Sequence, residues 1–342
     1  MTEPRNPVGC LRSGALLDSS VVALEQSGPG GRGIVREGVL AGVGGTPLIE
    51  LRRVVPPDSA RVLVKLEWAN PSGSMKDRMA VAVIEGAEAR GLLRPGDTVV
   101  EYTAGTTGIS LALVCAAKGY RFHAVFSDAF SEEKRRTMEA FGATVEDVPS
   151  DHRQITEQLI KSMIARAGEV SEQPGHWWCD QLGNHDATAG YVQLGDEIWE
   201  QSGHRVDAFV QAVSTAHAIQ GAARGLRAHR PGLQVIAVEP AESAVLSGGP
   251  TGAHRIEGIG IGFVPPLWDP DAVDAIEQVS TDDAIAMSRR LAREEAVFAG
   301  TSSGANVVAA LRVAERLGPD AVVATVIVDS GLRYLSTDLY AS

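Results

Sequence analysis

The chain has 342 residues, which is enough for about two domains. Apolar residues make up 44% and charged residues 22%, so the composition excludes a disordered or fibrous protein. The formal net charge of −12 disfavours nucleic acid and anionic membranes as partners, and no apolar stretch is long enough to cross a bilayer.

The cysteines and the N-terminal residues bear on metal binding and on the expected cellular location. Cys10, Cys115 and Cys179 are too few and too scattered for a disulfide framework or a zinc cluster. No other grouping of His, Cys and Asp has metal-ligand spacing, so we expect no metal site. Residues 1–20 lack the apolar core of a signal peptide. A reducing, cytoplasmic location follows as the expectation.

Strand-like and helix-like segments alternate through most of the chain. Residues 1–44 show little periodicity, and the glycine-rich stretch 28–33 is typical of a flexible connection. Next, the pattern predicts strands over 61–67, 98–102, 121–126 and 144–148. Helices are predicted over 77–90, over 108–118, after Ser131 and over 152–166.

The same alternation continues in the second half. Helices are predicted over 190–201, 219–229, 281–295 and 305–317, and strands over 207–213, 233–239 and 321–328. Such alternation is typical of βαβ units and parallel sheets. A stretch of low charge around 174–190 is a candidate junction. We therefore expect an N-terminal domain over 45–185 and a C-terminal domain over 186–342, with 1–44 packing as an extension.

Ligands of open parallel sheets bind at the carboxyl ends of strands, so the loops that follow strands are candidate sites. In the loop 70–78, Lys76 stands at a predicted helix start. The positive end of the helix dipole lowers the pKa of an amine there, which suits a nucleophile or a Schiff base. A lone lysine in such a place is more often a solvated surface residue.

Two further loops connect a predicted strand to a predicted helix. Residues 101–108 offer backbone N–H groups and hydroxyls to an anion such as a carboxylate, or form an ordinary tight turn. Residues 213–218 could hold a phosphate, although they contain no glycine and do not form a P-loop. His217, taken alone, is more often a structural histidine than a catalytic one.

Residues 300–304 match G-x-S-x-G, the nucleophile elbow of α/β-hydrolases, and a strand-like segment over 296–299 precedes them. That fold needs a histidine after the serine in chain order, but the last histidine is His254. The hydrolase interpretation therefore requires a different order of triad residues. The glycines of 258–262 are too few, and no predicted helix follows them, for a dinucleotide fingerprint.

Taken together, these loops resemble the cysteine synthase family of pyridoxal-phosphate enzymes from about Gly44 to Thr337. The family's Gly-Asn-Thr-Pro-Leu element is Gly-Gly-Thr-Pro-Leu at 44–48, and its lysine motif is intact at 70–78. Residues 238–243, 258–260, 302–305 and 329–331 also match. The resemblance implies fold type II, as in the tryptophan synthase β subunit. That fold has two open parallel-sheet α/β domains with pyridoxal 5′-phosphate in the cleft between them, usually in a homodimer.

The resemblance also implies residue roles. Lys76 would form the Schiff base and later move the α-proton of the substrate, and Ser302 would hydrogen-bond the pyridine nitrogen. A neutral hydroxyl at that nitrogen favours β-elimination over racemisation. The other cofactor-binding positions would be Thr106, Ser214, Thr215, Ala216, His217 and Ala218. The substrate would be bound by Thr103, Ala104, Gly105, Thr107, Gln181 and Gly258.

Two loops depart from the family pattern. Ala104 and Thr106 replace the serine and asparagine of Thr-Ser-Gly-Asn-Thr-Gly. The phosphate loop Gly-Thr-Gly-Gly-Thr becomes Ser-Thr-Ala-His-Ala at 214–218, which loses three glycines and the last threonine. We predict that the cofactor binds more weakly here than in relatives with the full glycine loop, unless His217 compensates as a cationic donor. The histidine could instead crowd the site.

The predicted activity is β-elimination and β-replacement on an O-activated L-serine, either O-acetylserine or O-phosphoserine, through an aminoacrylate intermediate. An amine nucleophile would instead give a 2,3-diaminopropionate precursor, since members serving siderophore or peptide-antibiotic synthesis also have a phosphate loop beginning Ser-Thr. A catalytically silent homologue that acts as a binding partner is a third interpretation, which the intact lysine motif disfavours.

Overall fold

A computed structural model of the protein describes residues 37–152 and 154–341, which form a mixed α/β structure. The strands are β1 (Leu48–Glu50), β2 (Arg61–Leu66), β3 (Thr98–Tyr102), β4 (Arg121–Phe126), β5 (Thr144–Asp147), β6 (His176–Trp178), β7 (Ala208–Ala212), β8 (Gln234–Pro240), β9 (Ala275–Val279) and β10 (Val322–Ile327). The helices are α1 (Lys76–Ala89), α2 (Thr106–Lys118), α3 (Glu132–Ala140), α4 (Glu157–Ser171), α5 (Asp186–Ala189), α6 (Val192–Gln201), α7 (His217–His229), α8 (Thr281–Glu294) and α9 (Thr301–Leu317).

The strands form two sheets. The larger has the order β1-β2-β10-β7-β8-β9 and is parallel except for the pairing of β1 with β2. In its centre, Thr325 of β10 stands opposite Val64 of β2 and Val210 of β7. The smaller sheet has the order β5-β4-β3-β6 and is parallel throughout. The predicted α/β class with parallel sheets is confirmed.

The predicted domain boundaries need one correction. Strands β1 and β2 lie within the range 45–185, yet β2 pairs with β10 along its whole length, from Arg61 opposite Val322 to Leu66 opposite Ile327. The larger sheet is therefore assembled from both ends of the described chain. Of the predicted N-terminal extension, residues 1–36 lie outside the described part, as do Cys10 and the predicted flexible connection 28–33.

Most predicted elements agree with the structure, and the bounds of β3 and β4 match the prediction. Helix α4 begins at Glu157, five residues later than predicted, because the Thr156 hydroxyl caps it by accepting a hydrogen bond from Leu159 N at 3.1 Å. The predicted helix over 190–201 is α6, which begins at Val192 after the short helix α5.

The strand-like segment over 296–299 is not a strand. Only Ala299 makes an isolated bridge, to Ser330, and α9 then starts at Thr301. Ser302 therefore lies in the first turn of a helix and not on a strand-to-helix elbow. This geometry removes the structural support for the hydrolase interpretation.

Buried apolar side chains from the helices and from both sheets form the core. Interior strands β7 and β10 are buried at every residue, as expected for strands covered on both faces. Within the described residues, no helix is both long and apolar enough to cross a membrane. Cys115 and Cys179 are buried free thiols.

Candidate active site

The loop between β2 and α1 is fixed by the polar residues that surround Lys76 in sequence. The Asn70 side chain accepts a hydrogen bond from Gly44 N at 2.9 Å, and the Asp77 carboxylate accepts one from Ser72 N at 2.7 Å. The Gly73 carbonyl accepts a third from Ser330 N at 3.1 Å. The motif therefore ties the backbone before Lys76 to the loop before β1 and to the segment after β10.

A buried ion-pair network is centred on Arg78, two residues after Lys76. The Arg78 guanidinium donates to Glu67 at 2.7 Å and to Glu197 at 2.8 Å, and Glu197 also pairs with Lys65 at 2.7 Å. Burial alone would raise the pKa of Glu197, but Arg78, Gly45 N and Lys65 together lower it to about 2. The network joins α1 to β2 and α6.

The Lys76 side chain points into a cavity. Its Nζ lies 5.9 Å from the ring centroid of Tyr191. It forms no hydrogen bond with any described residue. Burial lowers the pKa of Lys76 to about 8, while the carboxyl group of Asp329 acts in the opposite direction. A larger fraction of the amine is therefore neutral near pH 8 than in an ordinary lysine, and the neutral amine is the nucleophilic form.

This cavity, called here the lysine cavity, brings together many of the predicted site residues. The predicted residues on its wall are Lys76, Thr106, Ser214, Thr215, Ala216, Ala218, Gly258 and Ser302. Residues to which the sequence assigned no role also line it: Met75, Gln211, Ala212, Ile219, Glu257, Ile259, Val328, Asp329 and Tyr334. Asp329 could have been found, because it follows the predicted strand 321–328.

The wall of the lysine cavity carries polar groups that lack partners. Gln211 Oε1 and Asp329 Oδ1 are buried without a hydrogen bond to any described residue. Burial raises the pKa of Asp329, and Arg333 and the hydroxyl of Tyr334 oppose that effect. Unpaired buried polar atoms are rare in native proteins. The cavity therefore fits a small ligand with several polar groups of its own.

The loop between β3 and α2 is organised by its hydroxyl side chains. Thr103 Oγ1 accepts hydrogen bonds from Gly105 N and Gly108 N, both at 2.9 Å, and Thr107 Oγ1 donates to Gln181 at 2.9 Å. These side chains shape the loop and do not line the lysine cavity. The Thr106 hydroxyl and the free N–H groups at the start of α2 remain available to an anion.

Gly105 is required by this loop. Its φ of +116° is a conformation that glycine adopts readily and other residues do not. A Cβ there would lie 2.4 Å from Cδ of Lys134. Lys134 is itself buried against the loop and forms an ion pair with Glu257. Gly105 therefore acts through backbone geometry and close packing, not as a wall of the lysine cavity.

The loop between β7 and α7 presents hydroxyls and a helix start to the same cavity. The Ser214 and Thr215 side chains line it, and Ala216 adopts a left-handed conformation with φ +70° just before α7. Helix α7 has 13 residues and begins at His217, two residues before the predicted start. The first N–H groups of a helix are unpaired within it and suit a phosphate.

His217 does not supply a charge to this loop, contrary to the prediction that it could act as a cationic donor. Its Nε2 lies 2.8 Å from the Gln181 carbonyl oxygen, and its Nδ1 lies 2.7 Å from Thr188 Oγ1. The carbonyl can only accept, so Nε2 carries the proton and Nδ1 accepts from the hydroxyl. Burial lowers the pKa of His217 to about 4, which keeps the ring neutral at physiological pH.

A neutral buried His217 predicts a specific acid sensitivity. The contribution of this residue to stability is complete above pH 6.5 and falls as the pH drops towards 4, because the unfolded chain then takes up a proton. Between pH 7 and pH 4.5 the loss is about 2–3 kcal/mol. Urea unfolding of His217→Gln, which keeps a donor and an acceptor, is expected to show a pH dependence smaller by this amount. His204→Gln, at an exposed position, is the control, and equal pH dependence of the two variants would contradict the assignment.

The family of the chain follows from comparison with known proteins. The model of the pyridoxal-phosphate dependent enzyme family matches residues 39–329. The chain belongs to this family. A cysteine synthase of Staphylococcus aureus is 42% identical over 301 residues, covering 87% of this chain and 95% of that protein. A probable cysteine synthase of Bacillus subtilis is 41% identical over 305 residues, covering 87% and 96%.

Solved structures of the family have the same fold. O-acetyl serine sulfhydrylase isoform 3 from Entamoeba histolytica superposes with a TM-score of 0.83 and 38% identity, covering 94% of this chain and 95% of that one. An O-ureido-L-serine synthase gives a TM-score of 0.84 and 38% identity, covering 90% and 96%. The resemblance to the cysteine synthase family is confirmed, and the protein is a pyridoxal-phosphate dependent enzyme of fold type II.

Proposed function

We propose that this enzyme catalyses β-replacement on O-acetyl-L-serine. The observation that carries the proposal is a lysine amine, with a lowered pKa, on the wall of a cavity that also carries unpartnered polar atoms. A catalytically silent homologue would need neither the amine nor the unpaired groups. Sequence identities of 41–42% with cysteine synthases support the same substrate class.

The wall residues suggest how the cofactor would be held. The hydroxyls of Ser214 and Thr215 and the N–H groups at the start of α7 would bind the phosphate. The Ser302 hydroxyl would bind the nitrogen of the cofactor ring, and Lys76 would hold the cofactor at its aldehyde carbon. When bound, pyridoxal phosphate supplies the electron sink for the α-carbon of the substrate.

The chain's own groups would then position the substrate and move its proton. The N–H groups at the start of α2 would bind the substrate carboxylate, and the Thr106 hydroxyl on the cavity wall would contact the cofactor. Thr103, Thr107 and Gln181 keep that loop in shape. Lys76 would take the proton from the α-carbon and return it after the nucleophile has added. The glycine loss in 214–218 leaves two hydroxyls and the helix start for the phosphate, so the prediction of weaker cofactor binding stands.

The proposal is tested by the products. Purified holoenzyme with O-acetylserine and sulfide is expected to release acetate and form cysteine, and a panel with O-phosphoserine, thiosulfate and an amine separates the leaving groups and nucleophiles. Ser302→Ala is expected to lower turnover with a small stability loss of about 0.5–1.5 kcal/mol, the net value of one hydrogen bond. Stoichiometric labelling of Ser302 by a serine-directed phosphonate, with no acetate release, would contradict the proposal.

A homodimer and a cytoplasmic location belong to the same proposal. Leu332 and Leu335 are three residues apart and 63% and 59% exposed, and this pair of large apolar side chains supports burial by a second copy. The net charge of −12 and the family's small amino-acid substrates support the absence of nucleic acid and membrane partners.

A further inference from the structure

A second cavity adjoins the lysine cavity, and most residues of its wall have no part in the functions described above. It has a volume of about 260 Å³, and Ser214, Glu257, Gly258 and Ile259 line both cavities. Its wall also includes Ala104, in the loop proposed to bind the substrate carboxylate. A molecule in this second cavity, called here the apolar pocket, would therefore lie beside the bound amino acid.

The apolar pocket is lined largely by hydrocarbon. Its apolar side chains come from the segment before α3, from the start of α4 and from the loop after β8: Phe130, Ile155, Ile160, Ala253, Ile256 and Ile261. Ile155 is 38% exposed, so the pocket opens to solvent at this rim. Aliphatic and aromatic walls favour a ligand with an apolar body.

Each titratable side chain that the structure describes on the pocket wall already has a partner in the protein. Glu257 pairs with the buried Lys134, and Glu157 pairs with Lys161 at 2.6 Å. His254 Nε2 donates to the Gly260 carbonyl at 2.9 Å, and its Nδ1 accepts from Ile256 N at 3.3 Å. Among the described residues of the wall, no charge is left to bind a charged group on the ligand, which favours an uncharged one.

The size of the pocket exceeds what sulfide needs. One water molecule, similar in size to sulfide, takes about 30 Å³, whereas a dry cavity of about 150 Å³ holds benzene. A volume of about 260 Å³ therefore accepts an alkyl or aryl group of more than six carbons. Sulfide alone would leave the apolar walls in contact with water.

We propose that the apolar pocket binds the body of the nucleophile, and that this nucleophile is an uncharged alkyl or aryl thiol. The inference rests on the proposed function and names its second substrate class. In the reaction, the C–O bond of O-acetylserine breaks and a C–S bond forms at the same carbon. The thiol loses its proton, acetate leaves with the bonding electron pair, and no oxidant or reductant is required.

Binding is tested first, without turnover. Phenylmethanol has the shape of phenylmethanethiol but is a far weaker nucleophile, and it is expected to bind the holoenzyme saturably in calorimetry or ligand-observed NMR. Ala253→Trp, from an exposed position on the pocket wall, fills the pocket and is expected to weaken binding at least about ten-fold. Leu92→Asp, an exposed residue outside the pocket, is the control and is expected to change nothing. Absence of saturable binding, or equal binding by Ala253→Trp, would overturn the proposal.

Competition between nucleophiles is the second test. With O-acetylserine and equal concentrations of sulfide and phenylmethanethiol, the thioether amino acid is expected to exceed cysteine at least about ten-fold. The charged analogue 4-(sulfanylmethyl)benzoate is expected to compete poorly, and Ile155→Asp is expected to shift the product ratio towards cysteine. Acetate release with cysteine as the main product would overturn the pocket proposal alone. If no acetate is released, the proposed function is refuted. The pocket proposal is then decided by phenylmethanol binding, which does not depend on turnover.

Discussion

Lys76→Ala is expected to abolish β-replacement while leaving the fold intact. The side chain supplies the amine that would hold the cofactor and the base at the α-carbon, so we expect turnover to fall by at least about a thousand-fold. Stability is expected to change by less than about 1 kcal/mol, because Nζ makes no hydrogen bond to a described residue, lies 5.9 Å from the Tyr191 ring centroid, and is buried at a cost that exceeds the attraction of Asp329. Acetate release measures turnover and urea unfolding measures stability, while the absorbance of the lysine-linked cofactor shows whether the cofactor is still held.

A matched lysine separates a chemical role from a loss of charge. Lys161 is an exposed residue of α4 whose ion pair with Glu157 spans one helical turn. Lys161→Ala removes the same group and is expected to keep both the absorbance and the turnover, since exposed pairs contribute little. A Lys76→Ala protein that folds and still forms product at the wild-type rate would refute the assignment.

The site could be predicted from the sequence largely because of one topological rule. Strands β2, β10 and β7 are neighbours in the larger sheet, so the loops at their carboxyl ends meet. Lys76 follows β2, Asp329 follows β10, and Ser214 follows β7. The apolar character of these strands and the turn residues after them are local signals. They can therefore be read from a single sequence.

Short strands and contacts between distant segments gave no such local signal in the sequence. Strands β1, β6 and β9 have three to five residues each and are not fully buried, so their periodicity is weak. The ion pair between Lys134 and Glu257 joins residues 123 positions apart. The sequence places His217 in a loop, whereas its neutral state follows from partners at 181 and 188 that only the fold brings together.

Arg78→Met is expected to destabilise the protein by about 3–5 kcal/mol, the cost of breaking a buried ion pair by removing one partner. Arg78 is 4% exposed, and its loss leaves the carboxylates of Glu67 and Glu197 in the interior with Lys65 as their remaining cation. Methionine keeps most of the apolar length, so the loss reports on charge more than on packing. Urea or thermal unfolding at pH 7 measures it.

Arg90→Met is the matched control, since Arg90 caps the same helix and pairs with Asp186 at 2.5 Å. Its side chain is 49% exposed, and an exposed pair contributes about 0–1 kcal/mol. Adding Glu67→Gln to Arg78→Met removes one of the stranded charges and is expected to recover part of the stability, which a pure packing defect would not allow. If Arg78→Met loses no more stability than Arg90→Met, the buried ion-pair network is not needed for the stability of the fold.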